Sequence, residues 1–188
     1  MIVSEVDQYQ SVEMKKQFFT ILITCAVIIT GRSQSEQNDS LVQNPDFATT
    51  INAYLDFSVP IISCNNFRKN QDKFTVLDAR EPEEFEVSHI KHAIPVGFQD
   101  FNLAALESID KSKPIVVYCS IGYRSEKIAK KLKGQGFSQV YNLYGSIFEW
   151  VNEGFPVYNN ADELVLKVHT YNRKWSRWVD VPKIEKVW

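Results

Sequence analysis

Pro114-Ile-Val-Val-Tyr-Cys119 constrains the fold more than any other stretch of the chain. It is uncharged and rich in β-branched residues, the composition of a strand buried on both faces. Such a strand needs cover above and below, and in a single chain that cover comes from helices. Ser125 to Gln135 supplies one within a few residues. Ile128, Ala129 and Leu132 share one face, Glu126, Lys127, Lys130, Lys131 and Lys133 the other, and Gly134 and Gly136 stop it. The alternation extends from about residue 48 to 158. Phe74–Asp78, Ala93–Val96 and Gln139–Leu143 read as strands. Helical patterns begin at Pro82, run from Phe101 to Ile109 through Leu103 and Leu106, and run from Ile147 to Glu153. The expected class is α/β, with a central parallel sheet and helices on both faces. The order of the strands does not follow from this pattern.

The chain has 188 residues, which suits one domain plus extensions. A net charge of −2 gives no general attraction to nucleic acid or to an anionic membrane. Three cysteines, Cys25, Cys64 and Cys119, are too few for a disulfide scaffold and match no zinc spacing.

Residues 1–35 read as a signal segment. Phe18 to Gly31 is uncharged, Lys15 and Lys16 precede it, and polar residues follow. The apolar run is about 14 residues, short of the ~20 that a spanning helix needs, so no stable membrane insertion is expected once the signal is removed. Met14 places Met-Lys-Lys directly before the apolar core, which makes it an alternative start. The expected destination is export to the periplasm. Leu22-Ile23-Thr24-Cys25 offers a second possibility, lipid anchoring through Cys25. Residues 36–47 are polar and contain Pro45, and read as a linker. Residues 48–158 form the expected domain and 159–188 a C-terminal extension packed on it.

Cys119 ends a buried strand, and a helix begins about six residues later. Ligands of open parallel sheets bind beyond the carboxyl ends of the strands. Gly122 permits a tight turn, and backbone N–H groups of such a loop converge on an anion beside a helix N-terminus. That environment favours thiolate over thiol. Arg124 adds a fixed positive charge and a fork of donors.

The loop Cys119-Ser120-Ile121-Gly122-Tyr123-Arg124-Ser125 resembles the active loop C-x-x-G-x-R-[ST] of single-domain rhodaneses. Three further segments resemble that family in the right order. Asp78-Ala-Arg80-Glu-Pro-Glu-Glu-Phe85 matches its D-x-R-x-x-x-E-[FY]. Ser88-His89-Ile90 with Ala93-Ile94 resembles its G-H-I-x-G-A. Tyr144-Gly145-Ser-Ile147 with Trp150, then Gly154-Phe-Pro-Val157, resembles its G-G-x-x-x-W and G-x-P-V. The resemblance spans about 110 residues and implies a rhodanese-like fold with ping-pong sulfur transfer. Cys119 would take sulfur from a sulfane donor, become a persulfide, and pass the sulfur to a small thiol, a thiol protein or cyanide. No metal or organic cofactor is implied. Backbone amides from Ser120 through Ile121, Gly122 and Tyr123 to Ser125 would bind the persulfide, and Arg124 would brace the loop or the donor. Asp78 and Arg80 would be structural, beside the site. His92, Ser88 and Tyr144 stand where the family usually has Gly, Tyr144 as the first of the closing pair. Ser120 and Ile121 are neutral where thiosulfate-preferring members often carry Arg or Lys, which weakens thiosulfate as the donor.

Two rival readings share the fold. Phosphatases and arsenate reductases need C-x5-R, whereas Cys119 and Arg124 are spaced C-x4-R. A non-catalytic binding or redox-sensing module remains the other alternative. Cys64 caps a helix or, as a weaker expectation, pairs with Cys119. His89 and His92 are expected to be structural. In the extension, Leu164–Val168 reads as a strand. Tyr171, Trp175, Trp178 and Trp188 are interleaved with Arg173, Lys174, Arg177 and Lys183. That pattern can bind single strands of nucleic acid, but an arm packed on the domain is preferred, with a partner or substrate rim as the alternative, and no nucleic-acid partner is expected. Oligomeric state is not encoded in any pattern found.

Overall fold

The structure, a computed structural model, describes residues 41–188. The expected signal segment, Met14 and Cys25 lie outside the described residues. A five-stranded sheet organises the domain: β1 (Ile61–Ile62), β2 (Thr75–Asp78), β3 (Ile94–Pro95), β4 (Ile115–Tyr118) and β5 (Val140–Leu143). Its order is β1-β5-β4-β2-β3, and every pairing is parallel. β4 lies at the centre, with Leu77 opposite Val117 on one side and Asn142 opposite Val117 on the other.

The four residues of β4 are fully buried and alternate between two cores, as strand periodicity requires. Val116 and Tyr118 join a core with Phe47, Phe67, Ile147 and Trp150. Ile115 and Val117 join a second core with Ile128, Ala129 and Leu132. The first face is covered by α1 (Pro45–Asn52), α2 (Cys64–Lys69) and α5 (Ser146–Asn152), the second by α4 (Tyr123–Gly134). α3 (Pro82–Val87) follows β2. Helices on both faces of a parallel sheet are the architecture that the buried strands demanded. Among the described residues no helix is long and apolar enough to cross a membrane.

Several local expectations change. The end of the polar linker belongs to the folded unit. Asn44 caps α1 through its side chain, Val42 and Phe47 are buried, and Gln43 N–H donates to Glu149 at 2.7 Å. The Phe101–Ile109 helix shrinks to a 3-10 turn at Ala104–Leu106. Leu106 is its only buried residue and Leu103 stays exposed, so no continuous apolar face holds a longer helix. The Leu164–Val168 strand divides into β7 (Leu164–Val165), antiparallel to β6 (Val157–Tyr158), and β8 (Lys167–His169), parallel to β9 (Glu185–Val187).

The segment after residue 158 lies against the first core. Val168 and Val179 are fully buried. Trp178 stacks on Phe47 with ring centroids 5.3 Å apart, and Asn152 binds Trp178 O at 2.8 Å and Asp180 N–H at 2.9 Å. Trp188, by contrast, is exposed.

Candidate active site

Cys119 follows the last residue of β4, and the chain turns there into α4. Gly122 makes the turn with φ of +119°, in the region that favours glycine. A Cβ there would meet Asn142 Nδ2 at 3.4 Å and Leu55 at 3.5 Å. Gly122 N–H donates to Cys119 Sγ at 3.2 Å, and Ser125 Oγ lies 3.5 Å from the same sulfur. Burial alone would raise the Cys119 thiol. The charge of Arg124, the Ser125 hydroxyl and amide, and the Gly122 amide outweigh it and hold the thiol below its ordinary value.

Arg124 does not hydrogen-bond the Cys119 sulfur. Its guanidinium forks onto Glu84 at 2.5 and 2.8 Å and donates to Ser120 Oγ at 3.0 Å. Glu84 also accepts from Glu81 N–H, closing a capping box at the start of α3. Burial would raise the Glu84 carboxyl, but Arg124 and Arg80 keep it below the usual range. Arg124 therefore ties the loop to α3.

Asn142 fixes the loop from β5. Its Nδ2 donates to Gly122 O at 3.0 Å, and its Oδ1 accepts from Ser125 Oγ at 2.7 Å. The single hydroxyl proton of Ser125 thus has two acceptors, Asn142 and Cys119. Ser146, at the start of α5, accepts from Cys119 N–H at 3.1 Å and donates to Leu143 O at 3.0 Å.

The remaining singled-out residues fall into place. Asp78 and Arg80 form a buried ion pair at 2.6 Å, and Arg80 also binds Ser88 O at 2.7 Å. Tyr118, under the Arg80 guanidinium, accepts from Ile90 N–H. His89 stacks on Phe85 at 3.9 Å and pairs its backbone with Tyr158. Cys64 is a free, buried thiol with its sulfur 3.7 Å from the carbonyls of Tyr144 and Ser146, and burial raises it well above a normal thiol. Cys119 is free as well, so the two are not paired.

The backbone locates the glycine-type positions. Gly145 and Ser146 both have positive φ, +73° and +51°, and Tyr144 does not. The closing glycine pair therefore corresponds to Gly145-Ser146, and the departure from glycine falls on Ser146 rather than on Tyr144. A Cβ at Gly145 would sit 2.6 Å from Glu149 Cβ. His92 adopts φ of +61°, the conformation expected of a residue in a glycine place. Ser88 is extended, at φ of −173°, which any residue adopts.

The loop opens on a cavity of about 490 Å³. Cys119, Ser120, Ile121, Tyr123 and Arg124 line it, together with Tyr54, Phe98, Tyr171 and Trp175. Tyr171 and Trp175 belong to the extension, for which a rim was the alternative to a packed arm, while Tyr54 and Phe98 carry no signal in the sequence. Glu84 sits in a motif that names no partner for it, and neither Asn142 nor Ser146 belongs to the Cys119 loop motif. Asn142 carried a usable signal, as a polar residue inside an apolar strand, where burial demands a hydrogen-bond partner.

A rhodanese-like domain family description matches residues 64–153. The thiosulfate sulfurtransferase GlpE of Coxiella burnetii is 35% identical over 75 residues, 40% of this chain and 69% of that protein. The chain belongs to the rhodanese-like sulfurtransferase family. The rhodanese-like match also extends to a tRNA uridine(34) hydroxylase of Cytophaga hutchinsonii, 33% identical over 86 residues, 44% of this chain and 28% of that protein. Among solved structures, a rhodanese-like domain from Anabaena aligns with a TM-score of 0.50 at 25% identity, covering 54% of this chain and 80% of that one. The thiosulfate sulfurtransferase of Pseudomonas aeruginosa aligns with a TM-score of 0.51 at 21% identity over 61% of this chain and 23% of its own, a likeness of fold.

Proposed function

We propose that the protein transfers sulfane sulfur through a persulfide on Cys119. The observation that carries this reading is the position of Cys119 Sγ. It lies 3.2 Å from Gly122 N–H in a turn entering a helix, with its thiol shifted toward thiolate, at the floor of an open cavity. The thiolate attacks the outer sulfur of a donor. A bond forms between Sγ and that sulfur, the donor's S–S bond breaks, and the remainder leaves with the bonding electron pair. A second thiolate, or cyanide, then attacks the outer sulfur of the persulfide, and Sγ departs as thiolate. The loop amides that hold the thiolate are placed to hold the negative persulfide in its turn. Gly122 and Ser125 carry that role, while Ser120, Ile121 and Tyr123 shape the mouth. Arg124 acts as both brace and charge.

The orientation of Arg124 counts against phosphoryl or arsenate chemistry. A loop enclosing a tetrahedral oxyanion needs its guanidinium on the oxyanion, and here both arms are bound to Glu84. Residues 1–35 fit export to the periplasm with removal of the signal, and N-terminal sequencing of the mature protein tests that assignment. Sulfur transfer is tested by intact mass of the reduced protein after incubation with sulfane donors. A gain of one sulfur atom, lost in Cys119→Ser, supports it. No adduct from any donor favours a binding module.

A further inference from the structure

The cavity above Cys119 is not charged for an inorganic dianion. Its one guanidinium, Arg124, is already neutralised by Glu84, and a second carboxylate, Glu81, also lines the cavity. Ser120 and Ile121 contribute no charge. Thiosulfate would bring two negative charges to a site with no free cation among its lining residues, beside a thiolate.

The walls are aromatic instead. Tyr54 meets Tyr123 edge-on at 6.2 Å and Trp175 edge-on at 5.4 Å, forming a continuous ring surface. Tyr171 lies over the Arg124 guanidinium at 5.4 Å, and Phe98 lines the same cavity. Tyr54, Tyr123 and Tyr171 each leave at least 40% of their surface open. Tyr54 follows α1, and Tyr171 and Trp175 lie beyond residue 158. Tyr54, Tyr171 and Trp175 therefore stand outside the segment that matches the family, residues 64–153, while Phe98 and Tyr123 stand inside it.

We infer that this aromatic wall selects an organic sulfane donor, with at most one negative charge and a flat apolar body, over thiosulfate. Tyr54 and Trp175 are the specificity-determining residues. The inference rests on the sulfur-transfer reading and deepens it. In the transfer from a thiosulfonate, Cys119 Sγ bonds to the terminal sulfur, the bond between the two donor sulfurs breaks, and the sulfinate leaves with the electron pair. Charge is conserved, with two anions on each side. The organic group stays on the wall while the sulfur moves, so its contacts orient the donor for in-line attack.

The test compares benzenethiosulfonate, methanethiosulfonate and thiosulfate as donors to the full chain, read as the rate of sulfur addition to Cys119 by mass. A free small thiol reacting with the same donors supplies the intrinsic reactivity ratio. The protein is expected to raise the benzene-over-methane ratio above the free-thiol value by about tenfold, the scale of burying one ring against aromatic neighbours. Thiosulfate is expected to be the slowest of the three. Trp175→Ala should reduce the benzene-over-methane ratio severalfold. Because Trp175 is partly packed in the core, exposed Tyr54→Ala serves as the second variant, with the same expected direction. Adducts from all donors at the free-thiol ratio, a fastest rate with thiosulfate, or a ratio unmoved in both variants would overturn the inference and leave sulfur transfer standing. No adduct from any donor would overturn sulfur transfer itself.

Discussion

Arg124 and Glu84 are bound in parallel, two nitrogens to two oxygens at 2.5 and 2.8 Å, and this pair joins the active loop to the start of α3. Both side chains are largely shielded, at 12% and 3% exposure. Glu84→Gln should therefore cost stability, about 3 kcal/mol by denaturant unfolding, because it leaves a shielded cation with half a partner. The same change removes the nearest counter-charge from Arg124, so the guanidinium acts more fully on Cys119. The pH midpoint of Cys119 alkylation should fall even as stability falls. A variant that loses stability with an unchanged midpoint would assign Glu84 a purely structural part.

Alkylation rate follows the thiolate fraction, rises with pH and levels off above the thiol's pKa. Cys119 is displaced downward, so its curve should level off at lower pH than that of a free cysteine, about 8.5. Arg124→Gln removes the leading downward influence and should move the midpoint up. Ser125→Ala should move it in the same direction by less, since the hydroxyl divides its proton between Cys119 and Asn142. An iodoacetamide rate profile from pH 5 to 10 on the three proteins measures both shifts.

Ser146 and His92 make a contrasting pair. Both have positive φ, a strained region for side chains other than glycine. Ser146 Oγ holds Cys119 N–H and Leu143 O in a buried setting. Ser146→Gly should relieve strain yet lose these bonds, for a net loss of about 1 kcal/mol. His92 is exposed in its turn, and His92→Gly should change stability by less than about 0.5 kcal/mol, the relief offset by the entropy of glycine. Urea unfolding of both variants checks the order.

Glu149 is fully buried on α5. Its Oε1 accepts from Gln43 N–H, and its Oε2 has no partner. Burial first, then the nearby Glu153, pushes its carboxyl up to about 7. Between an unfolded value near 4.3 and about 7, the folded protein holds the extra proton, so this group's contribution to stability falls as pH rises across that window. Glu149→Gln should be stabilising at pH 8, by up to about 3 kcal/mol, and nearly neutral at pH 5. Melting temperatures of both proteins from pH 5 to 8 should diverge with rising pH.

The sheet was legible because β4 is buried on both faces and carries no charge, so its residue types could serve no other purpose. The Cys119 loop was legible as a motif because its glycine and arginine sit at fixed separations from Cys119. Strand order was not, since parallel strands are joined by crossovers whose direction leaves no periodic trace. Glu84, Asn142 and Ser146 reach the Cys119 loop from α3, β5 and α5, and no spacing along the chain encodes that convergence. The Phe101–Ile109 stretch misled because apolar spacing over three residues is too sparse to distinguish a helix from a turn with one anchor. Tyr144 was paired with the wrong position: counted back from Trp150, G-G-x-x-x-W falls on Gly145-Ser146, and the positive φ of Ser146 agrees.

The pairing of β8 with β9 has a consequence for how the domain can change. Tyr171 and Trp175 lie on a stretch of chain closed at its base by three residue pairs, Lys167 with Glu185, Val168 with Lys186 and His169 with Val187. The nucleophile loop is anchored instead in the central sheet. Reactivity and selectivity are thus carried on separate parts: a loop anchored in the sheet, and a clasped segment whose own anchors in the core are Trp178 and Val179. Varying the residues from Tyr171 to Trp175, with Trp178, Val179 and the clasp strands kept, is a route to new donors that leaves the Cys119 loop untouched.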